Sequence, residues 1–161
     1  MRPTLLVLSA LAVAALLSDC SSGVDVPVPQ PVPTGAGAYL CAALHGRLPD
    51  EVAGHTVTAT KPNSQYTSAW GSPPIVLRCG VPTPQALTPT SQLLSVDGVD
   101  WLPEQLTHGY LFTTVGREIN VEVSVPDAYT PESAALADIS PVVAALDPVT
   151  GPGASASPSS P

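Results

Sequence analysis

The chain has 161 residues and a net charge of −8, with five lysines and arginines against thirteen aspartates and glutamates. Nucleic-acid binding requires clustered cations, whereas the basic residues after position 40 are scattered, at Arg47, Lys61, Arg78 and Arg117, so no nucleic-acid partner is expected. Because 44% of the residues are hydrophobic and only 11% charged, a folded domain is expected in the middle of the chain.

An apolar run, Leu5–Leu17, opens the chain after Arg2. It is shorter than the roughly 20 residues that a membrane-spanning helix needs and is typical of a signal peptide. We therefore predict a signal peptide over residues 1–19 and export from the cytoplasm. The alternative, a buried N-terminal helix, is disfavoured because the run has no polar face and leads into proline-rich sequence.

Residues 17–20, Leu-Ser-Asp-Cys, resemble the bacterial lipobox, in which the cysteine receives a diacylglyceryl group and becomes the mature N-terminus. Asp19 departs from the usual Gly, Ala or Ser at that position. Fatty acyl chains such as palmitate on Cys20 would hold the protein on the outer face of the cell membrane, since two chains suffice for stable anchoring. A plain secreted form is the alternative.

Proline and valine alternate after Cys20, which favours an extended polyproline conformation. We predict a spacer over residues 20–37 that holds the domain about 30 to 40 Å from its anchor; a disordered leader is the alternative. The globular domain is expected over residues 38–147, and the Pro/Ser/Gly-rich residues 148–161 are expected to form a disordered tail.

Two cysteines, Cys41 and Cys79, remain once Cys20 is acylated. An oxidising compartment allows them to form a disulfide, which would stabilise the domain by about 4 kcal/mol on the chain-entropy model. Two free buried thiols are the alternative. Cys41 lies in a predicted helix, Tyr39–Leu48, and Cys79 on the apolar face of a predicted strand, Ile75–Val81.

Further strands are predicted at His55–Thr60 and in two hairpins. In the first hairpin, a turn at Asp97-Gly98 pairs Val96 with Val99 and Leu94 with Trp101. In the second, a turn at Gly116-Arg117 pairs Phe112 with Val121, Tyr110 with Val123 and Thr114 with Ile119.

The last predicted element is a helix that Thr130 caps and Pro131 opens, with Pro141 expected to kink or split it. The predicted fold class is α+β: an antiparallel sheet of about five strands with two hairpins, flanked by an N-terminal and a C-terminal helix.

No catalytic, cofactor or metal signature is found. His45, His55 and His108 are isolated, so no metal site is expected. Asp97 and Asp100 are interpreted as turn residues, since a calcium loop would need more oxygen ligands. Glu118 and Glu122 share a predicted strand face, where solvation explains them as well as acid–base chemistry does.

The chain resembles a widespread actinobacterial family of short exported proteins, mostly lipoproteins, with a domain of unknown function. The resemblance covers nearly all of residues 38–147 and implies no activity or ligand. It rests on a long block, A-W-G-S-P-P-I-V-L-R-C-G-V at residues 69–81, and on four shorter motifs: Cys41-x-x-Leu44 with Leu48-Pro49, Gly98–Trp101, Thr113–Arg117 and Val123-x-Val125-Pro126.

Three residues are candidates for binding: Trp70, Arg78 and Trp101. Trp70 is expected either to pack in the core near the disulfide or to form an exposed platform for a sugar or peptide. Arg78 is expected either to pair with a carboxylate such as Glu122 or to bind an anionic ligand.

The favoured function is that of a non-catalytic envelope lipoprotein that binds another envelope protein or a cell-wall component. A small-ligand module that uses the three candidate residues is the first alternative. An enzyme that acts on the cell wall is the second.

Overall fold

A computed structural model describes residues 23–147 and Val149. The predicted signal peptide, Cys20 and the tail apart from Val149 lie outside these residues. The elements are β1 (Val24–Asp25), α1 (Gly35–His45), β2 (Glu51–Val52), β3 (His55–Thr58), β4 (Thr60–Lys61), β5 (Thr67–Trp70), β6 (Ile75–Cys79), β7 (Leu94–Val96), β8 (Val99–Leu106), β9 (Gly109–Val115), β10 (Val121–Val125) and α2 (Ala134–Leu146).

Eight strands form one antiparallel sheet in the order β2-β3-β5-β6-β10-β9-β8-β7, so the α+β class is confirmed but the expected five strands are too few. β5 pairs along its whole length with β6, as Trp70 opposite Ile75 illustrates. β5 was not predicted from the sequence, because its TSAW segment lacks alternation of apolar and polar residues; all four residues are buried.

The first predicted hairpin has the expected register. Val96 lies opposite Val99, Leu94 opposite Trp101 and Ser95 opposite Asp100. Asp97 (φ 47°) and Gly98 (φ 77°) both occupy the left-handed region that a type I′ turn requires. Local turn chemistry and side-chain alternation were therefore sufficient to determine this pairing.

The register predicted for the second hairpin is wrong by two residues. Phe112 lies opposite Val123 and Tyr110 opposite Val125, and β10 begins only at Val121. A shift of two residues leaves each side chain on its predicted sheet face but lengthens the connection to residues 116–120. The loop is held from outside the hairpin, because the carboxylate of Asp147 accepts hydrogen bonds from the backbone N–H groups of Glu118 and Ile119.

Both helices contribute to one hydrophobic core on the same side of the sheet. Cys41 and Leu44 of α1 are buried with Leu136, Ile139 and Val143 of α2. The C-terminal helix begins later than predicted, at Ala134, because the Thr130 hydroxyl donates to the carbonyl of Asp127 and caps no helix. Pro141 does not split α2; it lies exposed inside the helix.

The predicted spacer is also corrected. Val24 and Asp25 form a parallel pair with Thr60 and Lys61, and Val26 is only 2% exposed. The following residues cross the domain to Gly35, where α1 begins, four residues before its predicted start. Alternating valine and proline indicated extended backbone correctly, but the buried valine and the strand pairing attach the segment to the domain.

Candidate functional site

The predicted disulfide is present between Cys41 of α1 and Cys79 of β6. The sulfur atoms are 2.09 Å apart and the Cα atoms 5.6 Å. Cys41 is 0% and Cys79 1% exposed, so the bond joins the first helix to the core face of the central sheet.

Trp70 adopts the core alternative, and the exposed platform is not found. Its side chain is 0% exposed, and Nε1 donates to the carbonyl of Pro49 at 2.9 Å. The ring is buried because Trp70 ends β5 next to Ile75 on the core face of β6 and does not project from the proline–glycine loop that follows. An indole without accessible surface offers no stacking face to a ligand.

Trp101 is likewise 0% exposed. Its Nε1 donates to the hydroxyl of Ser140 at 3.0 Å, which attaches β8 to α2. Ser140 was not among the predicted residues. Its only signal in the sequence was a polar side chain within the apolar stripe of the helix, where a buried hydroxyl needs a hydrogen-bond partner.

Arg78 pairs with Glu122, as the first alternative for this residue predicted. The two side chains lie directly opposite each other on β6 and β10, with Nη2 2.6 Å from Oε1. They lie on the sheet face away from the helices, opposite to the face that Trp70 and Trp101 enter. The three candidate binding residues therefore do not converge on one site.

A groove lies at the end of β6 beyond Cys79. This "proline groove" encloses about 640 Å³. It is lined by residues Pro31–Thr34, Gly37, Gly80–Thr83 and Glu118–Asn120. The resemblance block reaches it at Gly80-Val81, but sequence reasoning did not identify it because its three walls are far apart in the chain.

Backbone contacts hold the walls of the proline groove together. The carbonyl of Asn120 accepts from the N–H groups of Gly80 and Val81, and the Asn120 side chain donates back to the Val81 carbonyl at 3.3 Å. Gly80 has φ 87°, and a Cβ at this position would overlap the ring of Pro33. Only glycine combines this conformation with so close an approach.

Asp147 holds the third wall of the groove, residues Glu118–Asn120, through hydrogen bonds to its backbone. Its buried carboxylate accepts from Glu118 N at 2.9 Å and from Ile119 N at 3.3 Å, while Arg117 donates to its backbone carbonyl. Burial raises the pKa of Asp147 above its ordinary value of 3.8, against the opposing effect of the two N–H donors and of Arg117.

The histidines are separated in the structure. His45 Nδ1 lies 3.1 Å from the Ser68 hydroxyl, the His55 ring lies 4.1 Å from that of Tyr129 at a tilt of 36°, and His108 lies 3.8 Å from an Asp127 oxygen. Within residues 23–147 and Val149, no group of three or more His, Cys, Asp or Glu side chains could hold a metal ion.

None of the helices in this part of the chain is long and apolar enough to cross a membrane.

These features define a small, disulfide-bonded α+β domain with a groove at one end of its sheet. Residues 1–150 match the family described as "Protein of unknown function (DUF3515)", and the chain belongs to that family. Neither a curated protein nor a solved structure matches it. The predicted membership in a family of unknown function is thereby confirmed.

Proposed function

We propose that this protein is a cell-envelope lipoprotein, anchored through Cys20 to the outer face of the cytoplasmic membrane, whose domain binds another envelope protein without catalysing a reaction. The disulfide is the observation that carries the proposal. It occupies two of the three cysteines and suits an oxidising compartment, so Cys20 after the apolar run is the one thiol left for acylation.

The proline groove is the binding site that the geometry favours. Val32 is 44% exposed at its edge, and Pro33 and Ile119 add apolar surface. Glu118, next to Ile119 in the third wall, is exposed. The backbone of the groove is already ordered, so little conformational entropy is lost on binding. The partner segment that fits is extended, apolar and carries a basic side chain opposite Glu118.

The anchor is tested by fractionating cells that express the full chain or its Cys20→Ala variant. The wild-type protein is expected in the membrane fraction and in the detergent phase after phase separation, and the variant in the aqueous phase. Equal partitioning of the two forms would overturn the anchor.

The groove is tested with a photo-crosslinking amino acid at Val32 and, as a control of matched exposure, at Leu106, which is 41% exposed. Protein cross-links are expected from position 32 and not from position 106. Adding Glu118→Lys should suppress them, because the proposed basic side chain would then meet a like charge. Identical cross-links at both positions, or none at position 32, would exclude the groove as the binding site.

A further inference from the structure

The last turn of α1 places an imidazole next to β5. His45 ends the helix and follows Cys41 by four residues, so the two side chains project from the same face. The disulfide holds this face against β6, and β5 pairs with β6. There His45 Nδ1 lies 3.1 Å from the hydroxyl of Ser68 on β5. The disulfide and the strand pairing together fix the position of the imidazole.

These residues belong to a second concavity, which we call the hydroxyl hollow. It is lined by His45, Val57–Thr60, Asn63, Thr67 and Ser68. It encloses about 280 Å³ and shares no lining residue with the proline groove. Small-molecule sites typically enclose roughly 300 to 1,000 Å³. The hydroxyl hollow lies at the lower end of this range and therefore suits a ligand with a single ring.

Two hydrogen bonds order the most buried hydroxyl groups of the hollow. Thr67 and Ser68 are 1% and 7% exposed. The Thr67 hydroxyl lies 3.1 Å from that of Thr60, and the Ser68 hydroxyl is bonded to His45. In the part of the chain that the structure describes, the Asn63 amide and Nε2 of His45 have no hydrogen-bond partner. The hollow thus combines ordered hydroxyl groups with polar groups that a ligand can bind.

The charges around the hydroxyl hollow have both signs. No carboxylate, lysine or arginine is found among its described lining residues. Lys61 pairs in register with Asp25, while Asp50 and Glu51 adjoin β3. Arg47 follows the end of α1. A charged ligand would therefore meet no counter-ion in the lining and charges of both signs around it.

The chemistry of the lining points to a neutral ligand that carries hydroxyl groups. Serine and threonine hydroxyls and the asparagine amide can each donate and accept a hydrogen bond, and so can the hydroxyls of a sugar. An apolar ligand would displace water from these groups without replacing its hydrogen bonds. Val57, which is 54% exposed, adds apolar surface for the C–H groups of a sugar ring.

We propose that the hydroxyl hollow binds one neutral sugar ring of an envelope glycan, at a site separate from the proline groove. The inference rests on the proposed export of the domain for the source of the glycan, whereas binding itself requires neither the anchor nor the groove. A domain that binds a protein at the groove and a glycan at the hollow connects two components of the envelope.

Binding is tested with isotopically labelled protein, purified from cells that express the full chain, in a detergent without sugar headgroups. The neutral probes are glucose, galactose, mannose and N-acetylglucosamine, and glucuronate is the charged counterpart of glucose. At least one neutral sugar is expected to shift the backbone amide signals of Thr67 and Ser68 in NMR spectra, and glucuronate to bind no more tightly than glucose. No shift with any neutral probe, or tighter binding of glucuronate, would overturn the proposal.

Removal of one hydroxyl group locates the bound sugar. Thr60→Val deletes a lining hydroxyl at nearly constant shape and should weaken binding roughly three- to tenfold, the effect of one lost hydrogen bond. Thr107→Val makes the same change at an exposed threonine between β8 and β9 and should bind like wild type. Equal affinities of the two variants would place the sugar outside the hollow and overturn the assignment.

A second variant guards against a folding defect, because the Thr60 hydroxyl also contacts that of Thr67. If Thr60→Val does not form its disulfide, Asn63→Ala at the exposed lining amide replaces it, with exposed Gln105→Ala as its control. The same loss is expected for Asn63→Ala, and wild-type affinity would overturn the site. Since the assay uses purified protein, a negative result leaves the anchor and the proline groove intact.

Discussion

The two faces of β6 differ in exposure: alternate residues along the strand are buried in the core or partly accessible to solvent. Ile75, Leu77 and Cys79 enter the core and are at most 2% exposed. Val76 and Arg78 lie on the other face and remain partly accessible, and Arg78 forms an ion pair with Glu122 on the neighbouring strand. One strand thus joins a covalently linked apolar core to a partly solvated ion pair.

The difference between the faces shows where the stability of the domain is expected to lie. Removing a side chain from the core face leaves a cavity that the packed interior fills only in part. Removing a partly solvated ion pair is compensated by water. Substitutions of core residues should therefore have large effects, and those of the ion pair on the other face small ones.

Trp70→Ala should give the largest loss, about 3 to 5 kcal/mol of the free energy of unfolding, because it empties a buried site and leaves the Pro49 carbonyl without its donor. Chemical denaturation of the exported domain measures it. Tyr39→Ala, at a ring that is 75% exposed, is the control and should change little. Similar losses for both variants would contradict the core role of Trp70.

Replacing Cys41 and Cys79 together by serine should lower the free energy of unfolding by about 2 to 4 kcal/mol, since the unfolded chain regains the entropy that the cross-link removes. The same denaturation experiment under non-reducing conditions measures the loss. If the double variant were as stable as wild type, the bond would contribute nothing to the core face.

Asp147→Ala tests whether a buried carboxylate behaves like a core residue. It should cost about 1 to 3 kcal/mol, because two backbone N–H groups at Glu118 and Ile119 lose their acceptor. Since burial raises the pKa of Asp147, the folded state holds this proton more tightly than the unfolded state. The stabilisation from Asp147 should thus increase as pH falls toward its ordinary value of 3.8 and decline as pH rises. Denaturation of wild type and variant at a series of pH values from 3.8 upward measures this change, and a stability difference that does not vary with pH would contradict the raised pKa.

The ion pair on the other face should show the smallest effect. A double-mutant cycle with Arg78→Met and Glu122→Gln is expected to give a coupling energy of about 1 kcal/mol, since the Arg78 and Glu122 side chains keep 31% and 14% of their surface exposed, and it should shrink at high salt. A coupling as large as the loss in Trp70→Ala would remove the distinction between the two faces.

Part of the structure could be predicted because the interactions that determine it are local. The Asp97-Gly98 turn and the alternation around it specified a complete hairpin register. The local apolar patterns of α1 and β6 placed Cys41 and Cys79 on inward faces, although the pairing itself was predicted by elimination. The register of the second hairpin could not be obtained in this way, because Asp147, about thirty residues along the chain, holds Glu118 and Ile119 in a loop.

The candidate binding residues also needed the structure, because the sequence left alternatives open for them. The pairing of Arg78 with an outward carboxylate such as Glu122 was one of two predicted alternatives, and the structure selects it because β6 and β10 are neighbours. The burial of Trp70 was left as one of two alternatives, since a proline–glycine segment follows it and only the pairing of β5 with β6 decides between them.

The sequence by itself determined the fold class and the first hairpin, because periodicity and turn chemistry act between neighbours in the chain; the cysteine pairing was predicted by elimination, with Cys20 assigned to the anchor. The tertiary structure alone decided that residues 24–34 pack onto the domain, and that three distant segments enclose the proline groove. These features depend on which surfaces meet after folding, and burial, close packing and long-range hydrogen bonds are properties of the assembled chain.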